Sequence, residues 1–156
     1  MATTHHVRRK KALHSVAVSV FVHGTEDESK VVTAIRLIVP ENVRIDRQSV
    51  TGHFGNVIVI LQARTTEAQA TRHVIDSIRN KLPKRDLTHL RGQIRQHLSE
   101  RCTLVVKFDK QSAACGVLVL GKDDPIVVGA KIAAYPARLE IAAEIARDFL
   151  NNACIC

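Results

Sequence analysis

Alternating apolar and polar positions predict three strands in the first half of the chain. Residues 14–23 and 43–51 each alternate, which is typical of a strand with one buried face. Residues 57–63 are almost entirely apolar and mostly β-branched, which predicts a more deeply buried strand. The connecting residues 52–56 include two glycines, so the second and third strands are expected to form a hairpin.

Apolar residues spaced three and four apart predict a helix after the first strand and another after the third. The first helix is expected to begin at the capping-box pattern Thr25-x-x-Glu28 and to end before Pro40. The second is expected to open at Thr66-x-x-Gln69. In both patterns the threonine hydroxyl and the second side chain can bond the first free helix amides.

The second half of the chain begins with a third predicted helix, separated from the second by Pro83 and capped by Asp86. Three predicted strands and a last amphipathic helix follow, over residues 103–108, 115–120, 127–134 and 137–150. Strands in hairpins with helices between them favour a mostly antiparallel sheet with helices packed on one face. The expected fold class is therefore an α+β two-layer sandwich.

Composition divides the chain into three parts. Residues 1–12 predict a basic flexible arm, residues 13–151 a single α+β domain, and residues 152–156 a short cysteine-containing tail. With 156 residues, 46% of them apolar and 24% charged, the chain has the composition of one ordinary globular domain. Apolar runs long enough for a membrane span or a secretion signal are absent, so we expect a cytoplasmic protein.

The cysteine spacing gives no sign of a structural metal site. Cys102, Cys115, Cys154 and Cys156 do not form the paired C-x-x-C pattern of zinc sites. We expect reduced thiols, with Cys102 and Cys115 buried beside strands. The sequence therefore predicts neither a metal nor another cofactor, and no small-molecule substrate.

Positive charge is concentrated in two segments of the chain. There are 23 Lys and Arg against 15 Asp and Glu, a net charge of +8. Between residues 79 and 95 lie six cations that we predict to contact phosphate: Arg79, Lys81, Lys84, Arg85, Arg91 and Arg95. The predicted arm adds Arg8, Arg9, Lys10 and Lys11. Because clustered cations attract polyanions and guanidinium groups pair with phosphate, nucleic acid is the expected partner.

We predict that four further side chains at turns or element ends contact the RNA at closer range than the basic segment does: His53, Asn56, Lys110 and Arg138. The glycine-rich turn that holds His53 has two interpretations. Either its backbone approaches a ligand, or it is a tight hairpin with Phe54 folded onto the core. Aromatic residues make up only 3% of the chain, which predicts that RNA is read through its backbone and shape rather than by base stacking.

Known catalytic motifs are missing from the sequence, including phosphate-binding loops, metalloprotease helices and nucleophile elbows. Asp123 and Asp124 precede Pro125 in a pattern typical of a solvated turn. A small hydrolase using His53 with these two acids would require the three groups to converge within hydrogen-bond distance. We expect no enzymatic activity.

Four motifs then occur in a recognisable order. They are His23-Gly24-Thr25-Glu26-Asp27-Glu28-x-Lys30-Val31, Gly52-His53-Phe54-Gly55-Asn56, Phe108-Asp109-Lys110-Gln111 and Tyr135-Pro136-Ala137-Arg138. Together they resemble an archaeal family of RNA-binding proteins associated with the exosome, whose fold is similar to that of the ribosomal protein that binds 5S rRNA. The resemblance covers residues 14–150. It implies an α+β sandwich, an archaeal cytoplasmic origin, RNA binding and no catalysis.

Charge and resemblance lead to one functional prediction and one alternative. The prediction is a non-catalytic RNA-binding protein acting in RNA processing or on the ribosome, with structured RNA such as rRNA, and exosome or ribosomal proteins, as partners. The alternative is an adaptor whose basic face docks an acidic protein in the exosome or another assembly. An apolar centre around Arg91 would favour the adaptor, whereas a broad hydrated basic surface would favour RNA.

Overall fold

Five antiparallel strands form one sheet in the order β2-β3-β1-β5-β4. The structure, a computed structural model, describes residues 13–151. Its elements are β1 (Leu13–Val22), α1 (Glu28–Arg36), β2 (Ile45–Thr51), β3 (Val57–Thr65), α2 (Ala68–Lys81), α3 (Lys84–Gly92), α4 (Ile94–His97), β4 (Thr103–Phe108), α5 (Lys110–Ala114), β5 (Ile126–Ile132) and α6 (Leu139–Asn151). The α+β prediction and the predicted antiparallel pairing are confirmed.

The central strand β1 is paired on both sides along most of its length. Val20 faces Leu61 of β3, and Val18 faces both Ala63 of β3 and Val128 of β5. These side chains are buried, as are the alternate residues Val16 and Val22. Alternation in the sequence therefore identifies the face that carries the core.

Burial alternates along all the strands except β2, so one sheet face packs against the helices and the other lies open. We define the open sheet face by the residues opposite in register to the core: Ser15, Ala17, Ser19, Phe21, Asp46, Gln48, Val50, Ile58, Ile60, Gln62, Arg64, Thr103, Val105, Lys107, Val127, Gly129 and Lys131. The sandwich thus leaves one broad surface of the sheet without a helical cover.

The predicted strand over residues 115–120 is wrong. Asp109 caps helix α5 by accepting from the Ser112 amide, and Gly116 then turns the chain with a φ of +86°. The segment returns beside β4, where Leu120 makes an isolated bridge to Phe108. Its apolar residues serve this short return rather than a full strand, which their composition alone does not distinguish.

The helices begin at residues other than those predicted. Asp27, not Thr25, caps α1 by accepting from the Ser29 amide. Helix α2 starts at Ala68 without a side-chain cap bond. Helix α3 starts at Lys84, two residues before the predicted cap Asp86, whose carboxylate accepts from the Leu120 amide instead.

Cys102 is buried, as predicted. The expected burial of Cys115 is wrong, because this residue follows the last turn of α5 at the surface.

The predicted basic arm at residues 1–12 and the cysteine-containing tail at residues 152–156 lie outside the described residues. Within residues 13–151, none of the helices has the length and apolar character needed to span a membrane.

Candidate nucleic-acid interface

The fold divides the basic segment between residues 79 and 95 into structural and exposed side chains. The Arg79 guanidinium donates to Asp76 Oδ1 at 2.6 Å and to the Phe149 carbonyl at 3.1 Å. Only 10% of its side chain is exposed. Arg79 therefore joins α2 to α6, and its donors face the protein rather than a ligand.

Arg91 and Lys81 are also engaged within the fold. The Arg91 guanidinium donates to Asn151 Oδ1 at 2.7 Å and lies half-buried against its own helix. Lys81 remains exposed, but its Nζ donates to the Leu37 carbonyl at 2.7 Å. Arg91 therefore holds the end of α6, whereas Lys81 bonds only the segment after α1 and stays exposed.

Two exposed basic pairs remain. The first, which we call the α3 pair, consists of Lys84 and Arg85 at the start of α3, whose side chains make no hydrogen bond or ion pair within residues 13–151. The second, the α6 pair, consists of Arg95 and Arg138. Arg95 lies 3.8 Å from Glu140, two residues after Arg138, so both cations lie near the start of α6. Along the chain, the rest of α3 and the start of the short helix α4 separate Lys84 and Arg85 from Arg95.

Acidic side chains are exposed in the same helical layer as these pairs. The exposed residues of α6 include Glu140, Glu144 and Asp148, with Arg147 among them. The helical surface is therefore mixed in sign, and the basic segment of the sequence does not form one continuous patch.

The β2–β3 turn projects its side chains into solvent. The Gly52 amide donates to the Asn56 carbonyl at 2.6 Å, and Gly55 adopts a φ of +79°, which favours glycine. His53 and Asn56 are exposed, and Phe54 is 88% exposed. The Phe54 ring contacts only the edge of the His53 ring, at 5.2 Å between centroids, so it does not fold onto the core.

Lys110 is buried, which removes it from the surface on which an RNA contact was predicted. Only 3% of the residue is exposed. Its Nζ donates to the Phe21 carbonyl at 2.9 Å, to Glu26 Oε1 at 2.8 Å and to Asp124 Oδ2. An ammonium has three donors, so Lys110 has none left for a phosphate.

The acceptors of Lys110 form an ionic cluster between the end of β1 and the start of β5. Burial alone would raise the pKa of Glu26, but hydrogen bonds from Lys110 and the His23 amide outweigh it and lower that pKa. Burial would also raise the pKa of Asp124, but Lys110 and His23 outweigh it and lower that pKa. His23 Nε2 lies 3.1 Å from Asp124 Oδ2.

His23, Glu26 and Asp124 have ligand-type atoms within 4.8 Å of one another, the spacing of a metal site. The Lys110 ammonium lies against both carboxylates and already supplies the positive charge. We therefore interpret the cluster as an internal ion-pair network.

The arrangement required by the hydrolase alternative is not formed. Asp124 is held by Lys110 and His23, whereas the His53 ring packs on Phe54. In the described part of the chain, no hydrogen bond or ion pair joins His53 to Asp123 or Asp124. These groups do not form a catalytic pair.

The exposed aromatic side chains were missed by reasoning from composition. Phe21, Phe54 and Tyr135 are 51%, 88% and 77% exposed, so three of the five Phe and Tyr residues lie at the surface. Phe21 alternates with Val20 and Val22 in β1, a pattern that places it opposite the core. This alternation is the sequence signal that could have identified it.

Tyr135 and His14 form a second exposed aromatic contact at the opposite end of β1. The Tyr135 hydroxyl lies 3.1 Å from His14 Nε2, and the two rings meet edge to face at 5.7 Å. Leu13, at the start of β1, pairs with Ile132 near the same end. Arg138 follows Tyr135 by three residues, so this end of the sheet also adjoins the α6 pair.

Comparisons with known proteins point to one family. A family model described as RNA binding matches residues 15–132. The chain is 30% identical over 149 residues to the RNA-binding protein PAB1135 of Pyrococcus abyssi, covering 92% of this chain and 97% of that protein. It is 38% identical over 129 residues to the uncharacterised protein MJ0213 of Methanocaldococcus jannaschii, covering 74% and 80% of the two chains.

Solved structures of archaeal proteins share the fold. The crystal structure of protein AF2318 from Archaeoglobus fulgidus superimposes with a TM-score of 0.79 at 28% identity, covering 88% of this chain and 99% of that one. The protein Mth689 from Methanothermobacter thermautotrophicus gives a TM-score of 0.74 at 30% identity, covering 90% and 99%.

Proposed function

The chain belongs to the RNA-binding family whose model matches residues 15–132, and we propose from this membership that it is a non-catalytic RNA-binding protein. Its finer role is also a proposal: it acts in the archaeal cytoplasm in RNA processing or on the ribosome. Its RNA is structured and includes rRNA, and exosome or ribosomal proteins are its neighbours. The motif resemblance supports this finer role.

The observation that carries the proposal is that the helical layer exposes two basic pairs, the α3 pair and the α6 pair. Lys84 and Arg85 have no acidic partner within residues 13–151, and Arg95 has only a distant one in Glu140. Because exposed cations release counterions when they neutralise phosphates, the two pairs provide sequence-independent affinity for an RNA backbone. Arg8, Arg9, Lys10 and Lys11 lie outside the described residues, and we propose them as further phosphate contacts from their charge alone.

The proposed contacts differ from those predicted from the sequence. We retain Lys81, Lys84, Arg85, Arg95 and Arg138, together with His53 and Asn56 at the exposed β2–β3 turn. Arg79, Arg91 and Lys110 are left out, because their donors are used to hold the fold together.

The surface around Arg91 does not favour the adaptor alternative. A docking face for protein needs an apolar centre depleted in charge. The large apolar side chains exposed in the described region are Phe21, Val50, Phe54, Val57, Val117 and Tyr135, and all of them lie outside the three helices α2, α3 and α4.

Binding at graded salt concentrations tests the proposed phosphate contacts. We expect the Lys84→Gln/Arg85→Gln and Arg95→Gln/Arg138→Gln variants to bind an RNA stem–loop more weakly. Each lost contact should reduce the log–log salt slope by about 0.7 to 0.9. Arg147→Gln is the matched control, because Arg147 is exposed on α6 beside Glu144 and Asp148. Unchanged slopes in both double variants would remove the helical layer from the mechanism.

Recovery of the protein from its own cell extract tests the finer role. RNase treatment should release it from its partners, and sequencing should find rRNA enriched in the untreated sample. Recovery of exosome proteins that resists RNase, with no enriched RNA, would instead identify an adaptor.

A further inference from the structure

The open sheet face carries an aromatic side chain where an interior one is usual. Phe is among the residues most often fully buried, yet Phe21 is half-exposed in the central strand. It pairs across the sheet with Ile60, which in turn pairs with Gln48. Beside this row Val50 faces Ile58, so the same end of the face holds several apolar side chains.

The backbone carbonyl of Phe21 is bonded by the buried Lys110 side chain. Pairing between β1 and β5 ends at Ser19 and Val127, which leaves the Phe21 carbonyl without a partner in β5. Lys110 Nζ bonds this carbonyl at 2.9 Å and is itself held by two carboxylates. The Lys110 cluster therefore anchors the backbone that carries the exposed ring.

A second aromatic ring projects from the same end of the sheet. Val22 pairs with Val59, so the end of β1 lies next to the start of β3. The β2–β3 turn follows directly, and it carries Phe54 into solvent. Phe21 on the sheet and Phe54 on the turn thus lie at one end of the molecule.

Small residues, among them Ala17, Ser19 and Gly129, occupy the middle of the open sheet face, which we call the floor. Ala17 pairs with Gly129, and the next position along β1 is Ser19. A Cβ built on Gly129 would approach its nearest neighbour, Thr103 Cγ2, only to 3.6 Å. Ala17 is exposed, so neighbouring side chains do not cover this part of the face.

Unpaired cations flank this floor on both sides. Arg64 of β3 faces Ala17, Lys107 of β4 faces Val127, and Lys131 of β5 faces Ser15. None of the three makes a hydrogen bond or ion pair through its side chain within the described residues. The one carboxylate of the face, Asp46, pairs with Arg44 at 2.8 Å.

We propose that the open sheet face binds unpaired nucleotides of the RNA, with bases stacked on Phe21 and Phe54 and phosphates bound by Arg64, Lys107 and Lys131. This inference rests on the proposed function and adds a second surface to it. Aromatic rings on an open sheet accept the flat face of any base, and neighbouring cations follow the backbone. Few aromatic residues suffice, because both rings are at the surface.

Charge complementarity favours nucleic acid over a protein partner at this face. A docked protein would desolvate three cations for which this chain provides no counter-charge. A single strand supplies phosphates for the cations and apolar base faces for the rings. Gln62 and Ser19, which face each other across β3 and β1, lie between them as hydrogen-bonding groups.

Tryptophan fluorescence can test the stacking directly, because the chain contains no Trp of its own. The variants Phe21→Trp and Phe54→Trp each place one reporter ring at the proposed site. Val117→Trp is the matched control, since Val117 is half-exposed, follows α5 and is not one of the paired strand residues that define the open sheet face. Unpaired oligoadenylate should quench the first two reporters and leave the control unchanged. Binding that leaves Phe21→Trp emission unchanged, or quenches all three variants equally, would overturn the proposal.

Affinity measurements separate this proposal from the proposed function. Phe21→Thr should weaken binding of unpaired oligoadenylate at least about fivefold, since base stacking on a ring is of that magnitude. Arg64→Gln/Lys107→Gln should do the same, and neither variant should alter the thermal unfolding midpoint or the affinity for a fully paired, blunt-ended RNA duplex. If the duplex binds and both variants keep the oligoadenylate affinity of the unaltered protein, the proposal for the sheet face alone is overturned. Failure of the unaltered protein to bind either RNA would overturn the proposed function as well.

The oligomeric state tests the alternative that a second copy of the chain covers the open sheet face. Sedimentation of the unaltered protein should show a monomer. A dimer that Phe21→Thr dissociates would assign the face to a second copy of the chain and overturn the proposal.

Discussion

Lys110 shows how this fold buries a charged side chain. Removing an ammonium from water is costly unless every donor finds an acceptor and the charge is balanced. The Phe21 carbonyl, Glu26 and Asp124 satisfy both conditions. The cluster joins β1 to the segments that precede α1 and β5, so its role is structural.

Replacing Lys110 with Met tests this role. The substitution keeps most of the buried side-chain volume but leaves Glu26 and Asp124 without their shared cation. We expect the free energy of unfolding at neutral pH to fall by on the order of 2–4 kcal/mol, as measured by urea titration. Lys122→Met is the control, because Lys122 is exposed and has no side-chain partner among the described residues. An equal effect of the two substitutions would contradict the structural role.

The same cluster predicts a dependence of stability on pH. Glu26 and Asp124 have pKa values lowered by the fold, so the unfolded chain binds more protons than the folded one in moderate acid. Their contribution is present above the ordinary carboxyl pKa, about 4, and is lost as pH falls through the lowered values. The stability difference between unaltered protein and Lys110→Met should therefore narrow between pH 7 and pH 3. A constant difference would show that the carboxylates are not coupled to Lys110.

Burial of Lys110 could not be predicted from the sequence. Its acceptors Phe21 and Glu26 lie 89 and 84 residues away along the chain, and Asp124 lies 14 residues away. Local pattern showed only a polar stretch after a strand, which is equally typical of a solvated turn. Exposure of Phe21, by contrast, follows from local alternation with its neighbours.

At the scale of elements, the segment after α5 depends on a close backbone approach. The Asp109 amide donates to the Val119 carbonyl, and the Gly121 amide donates to the Lys107 carbonyl. A Cβ at position 121 would lie 2.7 Å from the Asp109 Cα and 2.8 Å from its nitrogen. Only glycine fits there without moving the end of β4.

Alanine substitutions at two glycines test this approach. Gly121→Ala should lower the free energy of unfolding by about 2 kcal/mol or more, because the clash is with backbone that cannot rotate away. Gly129→Ala, whose added methyl would make only ordinary van der Waals contacts at 3.6 Å and 3.9 Å, should change it by less than about 0.5 kcal/mol. Thermal or urea unfolding measures both. Equal stability of the two variants would show that the segment moves without cost.

The strands and helices with a regular apolar period were predicted more accurately than the residues at which they begin. Alternation identified β1 and β2, and an apolar, mostly β-branched run identified β3. Every strand except β2 buries one face against the helices. The helix starts were misplaced because several polar residues precede each helix and can cap it. Asp27 rather than Thr25 caps α1, and Asp86 bonds the distant Leu120 amide. Tertiary contacts choose among caps that look equivalent in the sequence.

At the scale of the whole molecule, the two layers expose different side-chain chemistry. The sequence correctly predicts a two-layer α+β fold, but its basic segment suggested one continuous surface. Pairing of Arg79 with Asp76, and the acids of α6, divide that surface into two exposed pairs. Meanwhile Arg64, Lys107 and Lys131, far apart in sequence, are brought together on the open sheet face by strand register. The distribution of charge over the surface therefore depends on topology more than on local sequence.

If both surfaces bind the same RNA, a molecule with a stem and an unpaired tail should bind more tightly than either part alone. Binding of one part raises the effective concentration of the other, which increases affinity by about a hundredfold without new contacts. Titration of a stem–loop, a tail and their covalent combination measures the gain. Tails too short to pass from the helical layer to the open sheet face should show none. Phe21→Thr should lower the combined affinity at least about fivefold, as it does for the tail alone, and Lys84→Gln/Arg85→Gln should reduce it towards that of the tail. A combined RNA that binds no more tightly than its stronger part would show that the two surfaces do not act together, because simultaneous contact is the only source of the gain.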